Sequence, residues 1–279
     1  MARNERPQWA RLDVDGAALL TDLAAGTSLA RVLDFQGAQL RCFGASAPAI
    51  TPLVVGTFSG RVERGASCNC SVLTLAPHAN GTHTEGVGHL TQEPLDAQRL
   101  IPQRLLIAAL LTVDPDLAGD SREGSDPAPR SGDLLITRSG LERAWPPTSL
   151  PLRCRAAVVR TLPNDRDKFA EDGAAAAPFL SREAAAWLVG RGIEHLVLDV
   201  PSADRAADGG ALTAHRIFFG LPPGSTALAQ ALRRDCTITE LAYAADSLAD
   251  GWYFLSLQSP AIAGDAVPSR PVLYPLRAA

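Results

Sequence analysis

Along the first half of the chain, short apolar runs alternate with Gly, Pro and Asn punctuation, the pattern of short strands joined by turns. Residues 53–61 and 68–75 are the clearest early strands. Val72, Leu73 and Leu75 predict that the second is buried on at least one face. Residues 105–113 are apolar almost throughout and read as a buried strand, although the alanines leave a helix open. The character then changes. Residues 114–133 carry Pro115, Pro127, Pro129, Gly119, Gly124, Gly132 and six acidic side chains, which predicts an exposed, mobile surface loop inside a domain rather than a domain boundary.

Beyond that loop, residues 155–161 form a clear strand. Ser181 is placed to cap a helix over 182–191, because its hydroxyl can accept an orphan backbone N–H. Gly190 and Gly192 mark the end of that helix. A strand at 196–200 follows at once, and strand, helix, strand in this order predicts a local crossover. Residues 252–257 and 270–274 are further strands. The pattern as a whole describes one β-rich α/β domain over residues 1–279.

Composition narrows the function. With 279 residues, 46% of them hydrophobic, the chain can bury a sizeable core. A net charge of -4 offers no field for gripping phosphate backbones, so no nucleic-acid partner is expected. The only lysine, Lys168, sits in Asp167-Lys168-Phe169, which excludes a Walker-A loop and disfavours a Schiff-base enzyme. Met1 to Pro7 lead into no apolar leader segment, and the longest apolar run, Leu105 to Leu111, falls far short of the ~20 residues of a membrane span. Five cysteines without a secretion signal predict reduced thiols in the cytoplasm, and the short apolar runs predict no membrane contact.

The candidate chemistry lies in the histidines. Of five, His78, His83 and His89 fall within twelve residues, in the order His-x4-His-x-Glu-x3-His with Glu85. Imidazole and carboxylate are the usual ligands of hydrolytic metal ions. On an extended backbone, His83 and Glu85 point to the same face. Asn80-Gly81 supplies a turn that can return His78 to that face. Gly86 and Gly88 let the chain bend and bring His89 back. Competing motifs fail. There is no His-Glu-x-x-His, and no Pro-Cys-x-x-Cys follows His83-x-Glu85 as a zinc deaminase requires. Cys68-x-Cys70 lies upstream and reads as a pair of packed thiols. Gly-x-Ser-x-Gly is absent, and Gly86-x-Gly88 lacks the third glycine of a dinucleotide site.

The run Asn80-Gly81-Thr82-His83-Thr84-Glu85-Gly86-Val87-Gly88-His89 resembles the His-x-Gly-Thr-His-x-Asp-x-Pro-x-His signature of the cyclase family of metal-dependent hydrolases. That family includes bacterial kynurenine formamidase, isatin hydrolase and polyketide cyclases. The likeness continues in order through 158–164, 192–204, Ala214-His215 and 237–241. It implies a single β-rich domain of the swivelling β/β/α type and one or two divalent ions, Zn or Mn, per chain. It also implies a homodimer or higher homo-oligomer.

The resemblance further implies that His83 is a first-site ligand and that Glu85 replaces an aspartate able to bridge two metals. His215 and Glu240 complete a second site, and His89 is the general acid/base. The family's first histidine stands four residues before His83, where this chain has Ala79. His78, five residues before, serves as a ligand if a one-residue bulge accommodates it. The implied activity is hydrolysis of an amide, lactam or ester bond, arylformamidase-like in acting on C–N bonds. A cyclase or dehydratase using the same site, and a non-catalytic metal- or ligand-binding member, stand as alternatives. His195, in an apolar strand, reads as structural. Asp199 and Asp204 either hydrogen-bond the site or stabilise their turn. Glu240 has a mere surface carboxylate as its other reading.

Overall fold

The computed structural model describes residues 6–148, 153–169 and 173–279; Met1 to Glu5, where the absence of a leader was read, lie outside them. Nine strands make the central sheet: β1 (Thr27–Ser28), β2 (His83–Glu85), β3 (Leu106–Val113), β4 (Ala156–Thr161), β5 (His195–Leu198), β6 (Thr237–Glu240), β7 (Gly251–Gln258), β8 (Ala266–Pro268) and β9 (Arg270–Pro275). Their order across the sheet is β8-β2-β6-β5-β4-β3-β7-β9-β1. The middle four, β6-β5-β4-β3, run parallel, and antiparallel strands flank them on both sides. The class is mixed α/β and mostly β, as the sequence pattern indicated.

A parallel strand covered on both faces reads as a continuous apolar run. This settles the ambiguity at 105–113. Leu106, Ala108 and Leu110 pack into one layer with Val158, Val197, Leu255 and Leu273. Ala109, Leu111 and Val113 face the opposite layer, where helices α2 (Arg138–Ala144), α3 (Arg182–Gly190) and α4 (Thr213–Phe219) contribute Leu141, Leu188 and Phe218. The crossover β4-α3-β5 forms as expected, with Ser181 Oγ accepting the Ala184 N–H at 2.9 Å and Gly192 in a left-handed conformation at φ 78°.

Residues 53–75 depart from expectation. The first stretch is not one strand but a hairpin, Val54–Val55 against Phe58–Ser59, because Gly56 turns the chain at φ 57°. Among the described residues the second, as Ser71–Thr74, pairs only with Ala49–Pro52, and no further strand joins the resulting ribbon. Val72 and Leu73 are accordingly 43% and 57% exposed rather than buried. Cys68 is exposed and Cys70 half-buried, so neither is a packed thiol; among the described residues no disulfide joins two cysteines. Residues 114–133 carry their own anchors. Asp116–Leu117 pairs antiparallel with the strand Leu134–Ile136. Glu123 accepts from Ser181 Oγ at 2.5 Å and from the backbone N–H groups of Arg138 and Ser139, where a helix N-terminus favours negative charge. Among the described residues, no helix is long and apolar enough to cross a membrane.

His195 is structural in its surroundings: it opens β5, is buried, and shares a 2.9 Å hydrogen bond between Nδ1 and Thr237 Oγ1. Burial pushes its pKa down to about 4, and the charges of Arg104, Arg155 and Arg233 act in the same direction. The unfolded chain therefore binds the proton first. Stability is intact above the ordinary value near 6.5 and declines as pH falls from there to about 4, by up to ~3 kcal/mol. Urea titrations at pH 7 and pH 4.5 should show a smaller difference for His195→Gln than for the parent. An unchanged difference would mean that this imidazole is not the group responsible.

Candidate metal centre

The cluster is assembled from five stretches of chain. Helical turn α1 (Pro77–Asn80) starts on a proline and is pinned by Asn80. Its Oδ1 accepts the Ala76 N–H at 2.7 Å, and its Nδ2 donates to Leu40 O and Ser46 O. Gly81, fully extended, then leads into β2. This helical turn, not a bulge within a strand, brings His78 to the cluster. Strand β2 is held on both edges: His83 lies opposite Glu240 of β6 and Pro268 of β8, and Glu85 opposite Ile238 and Ala266. Strand alternation puts His83 and Glu85 on one face, as the spacing indicated, while Thr84 points away and bonds Thr239 Oγ1 at 2.7 Å.

After β2 the chain doubles back through the turn Val87–Leu90, which carries His89. A Cβ on Gly88 would stand 2.4 Å from the Leu95 carbonyl oxygen, and one on Gly86 2.3 Å from Leu100 Cδ1. At Gly88, where the neighbour is backbone, only glycine permits so close an approach; at Gly86 the end of the Leu100 side chain would have to shift. His215 comes from α4, and Glu240 ends β6. The cluster thus lies beyond the carboxyl ends of the parallel strands, where open α/β sheets place their ligands.

Glu85 sits at the centre, 1% exposed. Its Oε1 is 2.7 Å from His215 Nε2; its Oε2 is 2.9 Å from His78 Nδ1 and 4.0 Å from both His83 Nε2 and His89 Nε2. Glu240 closes the ring, with Oε2 at 3.5 Å from His83 Nε2 and Oε1 at 3.5 Å from His215 Nε2. Short as some of these separations are, they lack hydrogen-bond geometry. His83 Nε2, His215 Nε2 and both Glu85 oxygens are buried with no hydrogen-bond partner among the described residues. Buried polar atoms are normally satisfied. Here the unsatisfied ones converge on one another.

The opposite edge of each ring is occupied. His83 Nδ1 is 3.0 Å from Gly81 O and His215 Nδ1 2.7 Å from Asp204 Oδ2. His78 Nε2 is 2.9 Å from Asp265 Oδ2. Metal-binding histidines characteristically donate their second ring N–H to a carboxylate or carbonyl, which fixes the tautomer and aims the free nitrogen. A donor set of imidazole and carboxylate suits a divalent metal ion. Three groups have donor atoms mutually close enough to hold one: His78, His83 and Glu85; Glu85, His215 and Glu240; and, more exposed, His78, His89 and Asp265. Glu85 belongs to the two buried groups.

Electrostatics follow from this crowding. Burial pushes the Glu85 carboxyl up, but the charges of His215 and His89 outweigh it and hold it well below the carboxylate range. Burial disfavours a charged His215, yet Glu85 and Asp204 raise it well above 6.5. His78 is raised to about 9, because its closeness to Glu85 and then Asp265 overcomes its own burial. Protons on these rings supply positive charge that the carboxylates require.

The cluster opens into a cavity of about 280 Å³ whose walls include Phe43, Arg205, Ala206 and Leu212. Phe43 and Leu212 adopt left-handed backbone conformations at φ 61° and 48°, as does Leu241, which follows Glu240, at φ 54°. Such strain in bulky residues persists only where neighbours enforce it, and it gathers at functional sites. Thr82 enforces one case by donating to Leu241 O at 2.7 Å. Arg205 is held at 3.0 Å by Asp133, at the end of the acidic loop.

All six side chains singled out from the sequence, His78, His83, Glu85, His89, His215 and Glu240, therefore meet in one place. Asp204 touches the site through His215. Asp199 does not: it accepts from Thr161 and from Lys168 Nζ at 2.8 Å, a buried pair that occupies the only lysine. Asp265 was missed. It stands in Gly264-Asp265-Ala266 with no motif around it, and only the pairing of β8 with β2 brings it to the site.

The Putative cyclase family model matches residues 7–205, more than half of the chain, and the chain belongs to that family. No curated protein matches the sequence. Among solved structures, the predicted metal-dependent hydrolase from Bacillus stearothermophilus is 15% identical, covering 89% of this chain and 97% of its own, with a TM-score of 0.54. An isatin hydrolase bound to the product analogue thioisatinate is 19% identical over 90% of this chain and 92% of its own, with a TM-score of 0.53. Isatin hydrolase A from Labrenzia aggregata is 14% identical over 89% and 93%, with a TM-score of 0.55. At these identities the likeness is one of fold.

The glycine contacts give a direct test of how tightly the His89 turn is packed. Gly88→Ala should destabilise by about 1–3 kcal/mol, since the new methyl meets backbone. Gly81→Ala, with nothing within 4 Å and an extended φ, should be near neutral. Equal urea midpoints for the two variants would show that the turn yields freely.

Proposed function

We propose that the protein is a metal-dependent hydrolase of an amide, lactam or ester bond in a small molecule, with a C–N bond preferred. The observation that carries this reading is the convergence of buried, unsatisfied ring nitrogens and carboxylate oxygens on Glu85, with the far nitrogen of His78, His83 and His215 each held. His78, His83 and Glu85 would hold one divalent ion, Zn or Mn, and Glu85, His215 and Glu240 a second. A bound divalent ion supplies Lewis acidity, polarising a carbonyl and lowering the pKa of water towards about 7. The residues of the chain do the rest. His89 Nε2 faces the cluster and accepts a proton there, then releases it to the departing group. Phe43, Ala206 and Leu212 bind the apolar body of the substrate and exclude water around it. An exposed Cys68 thiol, two residues from Cys70 and not joined to it by a disulfide, fits a reducing, cytoplasmic setting.

The test is metal content per chain after dialysis against metal-free buffer, by inductively coupled plasma mass spectrometry. One or two equivalents of Zn or Mn are expected. No retained metal, with none taken up on titration, overturns the reading. In the loaded protein, His89→Ala should keep the metal and lose roughly 10²–10⁴-fold in turnover on a panel of amides, lactams and esters. Parallel loss of metal would make His89 a ligand instead. Product analysis separates hydrolysis, which adds water, from cyclisation, which releases it.

A further inference from the structure

We propose that Asp265 is the positioning residue of the centre's rim, holding His78 and His89 together through one carboxylate oxygen; this rests on the hydrolase reading above. Oδ2 of Asp265 lies 2.9 Å from His78 Nε2 and 3.4 Å from His89 Nδ1. One oxygen reaches both because the two rings lie against each other, with centroids 4.3 Å apart and planes inclined by 33°. The two are the histidines in most need of a hold. His83 and His215 are fully enclosed, whereas the side chains of His78 and His89 are 29% and 28% exposed and ride on turns rather than on the sheet.

The consequence is directional. An imidazole that donates its Nε2–H to a carboxylate leaves Nδ1 as its lone pair, and for His78 that nitrogen is the one beside Glu85. An imidazole that donates its Nδ1–H leaves Nε2 free, and for His89 that nitrogen faces the cluster. The same oxygen thus selects the ligand nitrogen of one ring and the proton-accepting nitrogen of the other. Asp265 is itself well placed for this. It directly precedes β8, whose Ala266 and Pro268 pair with Glu85 and His83, so the carboxylate is carried by the strand that clamps the ligands. On its other side, Gly264 O accepts the Ala97 N–H at 2.8 Å, which fixes the approach of the chain.

Asp265→Ala and Asp265→Glu in the full-length protein test this. Two readouts are needed: zinc affinity by competition with a chromophoric chelator, and the ring ¹⁵N resonances of His78 and His89 in the metal-free protein. For Asp265→Ala, zinc affinity should fall roughly 10–100-fold and both sets of ring resonances should move together. Asp265→Glu should recover most of the affinity, which a merely structural role would not produce. Unchanged affinity with unmoved rings overturns the proposal, and movement of only one ring refutes the shared hold. If the parent protein binds no zinc, the metal reading fails, and the ring resonances still decide whether Asp265 holds the two histidines.

Discussion

A carboxylate that is almost wholly out of water has to be neutralised, and Glu85 is that carboxylate. Leaving an ionised group buried and unpaired costs far more than a folded domain can spare. The chain surrounds it with imidazoles from both sides, His78 and His83 from one stretch and His215 from another. Positive charge has to reside there, as protons on those rings or as a divalent ion between them. The local architecture serves that requirement. Strand β2 is paired along both edges, the glycines that follow it, Gly86 and Gly88, press against leucine and backbone, and a threonine on either side of His83 is bonded into β6 or the turn after it.

The centre divides into a rigid floor and a looser rim. The floor consists of His83, Glu85 and Glu240 on adjacent strands, with His215 fastened by Asp204 to the loop after β5. Asp204 also accepts the backbone N–H groups of Ala214 and His215, so a single carboxylate fixes both the start of α4 and the ring it presents. The rim holds His78, His89 and the strained Phe43 and Leu212. Chemistry that tolerates little positional error sits on the sheet, and groups that meet varied molecules sit on turns.

Much of this was legible in the sequence because it is local. The spacing of His83 and Glu85 needs only strand alternation, and the buried parallel strands announce themselves as unbroken apolar runs. The cap at Ser181 is a matter of four consecutive residues. What was not legible is what depends on distant pairing. Val72 and Leu73 have the composition of a buried strand, yet among the described residues no further strand joins their ribbon and they lie in solvent. Asp199 and Asp204 look alike within one turn, yet one binds Lys168 and the other His215. The chain brings His78 in by a helical turn that an offset of one residue does not disclose.

The pairing of β2 carries a consequence for how the molecule comes into being. Its two neighbours, β6 and β8, lie more than a hundred residues further along the chain. During synthesis the segment bearing His78, His83 and Glu85 emerges long before the strands that will flank it. Such long-range closures come late in folding, since chain entropy opposes them until the rest has gathered. A nascent chain therefore presents only half of the cluster. Glu85 meets its full ring of partners only when the C-terminal strands dock, so a completed cluster is the mark of a chain that has finished folding.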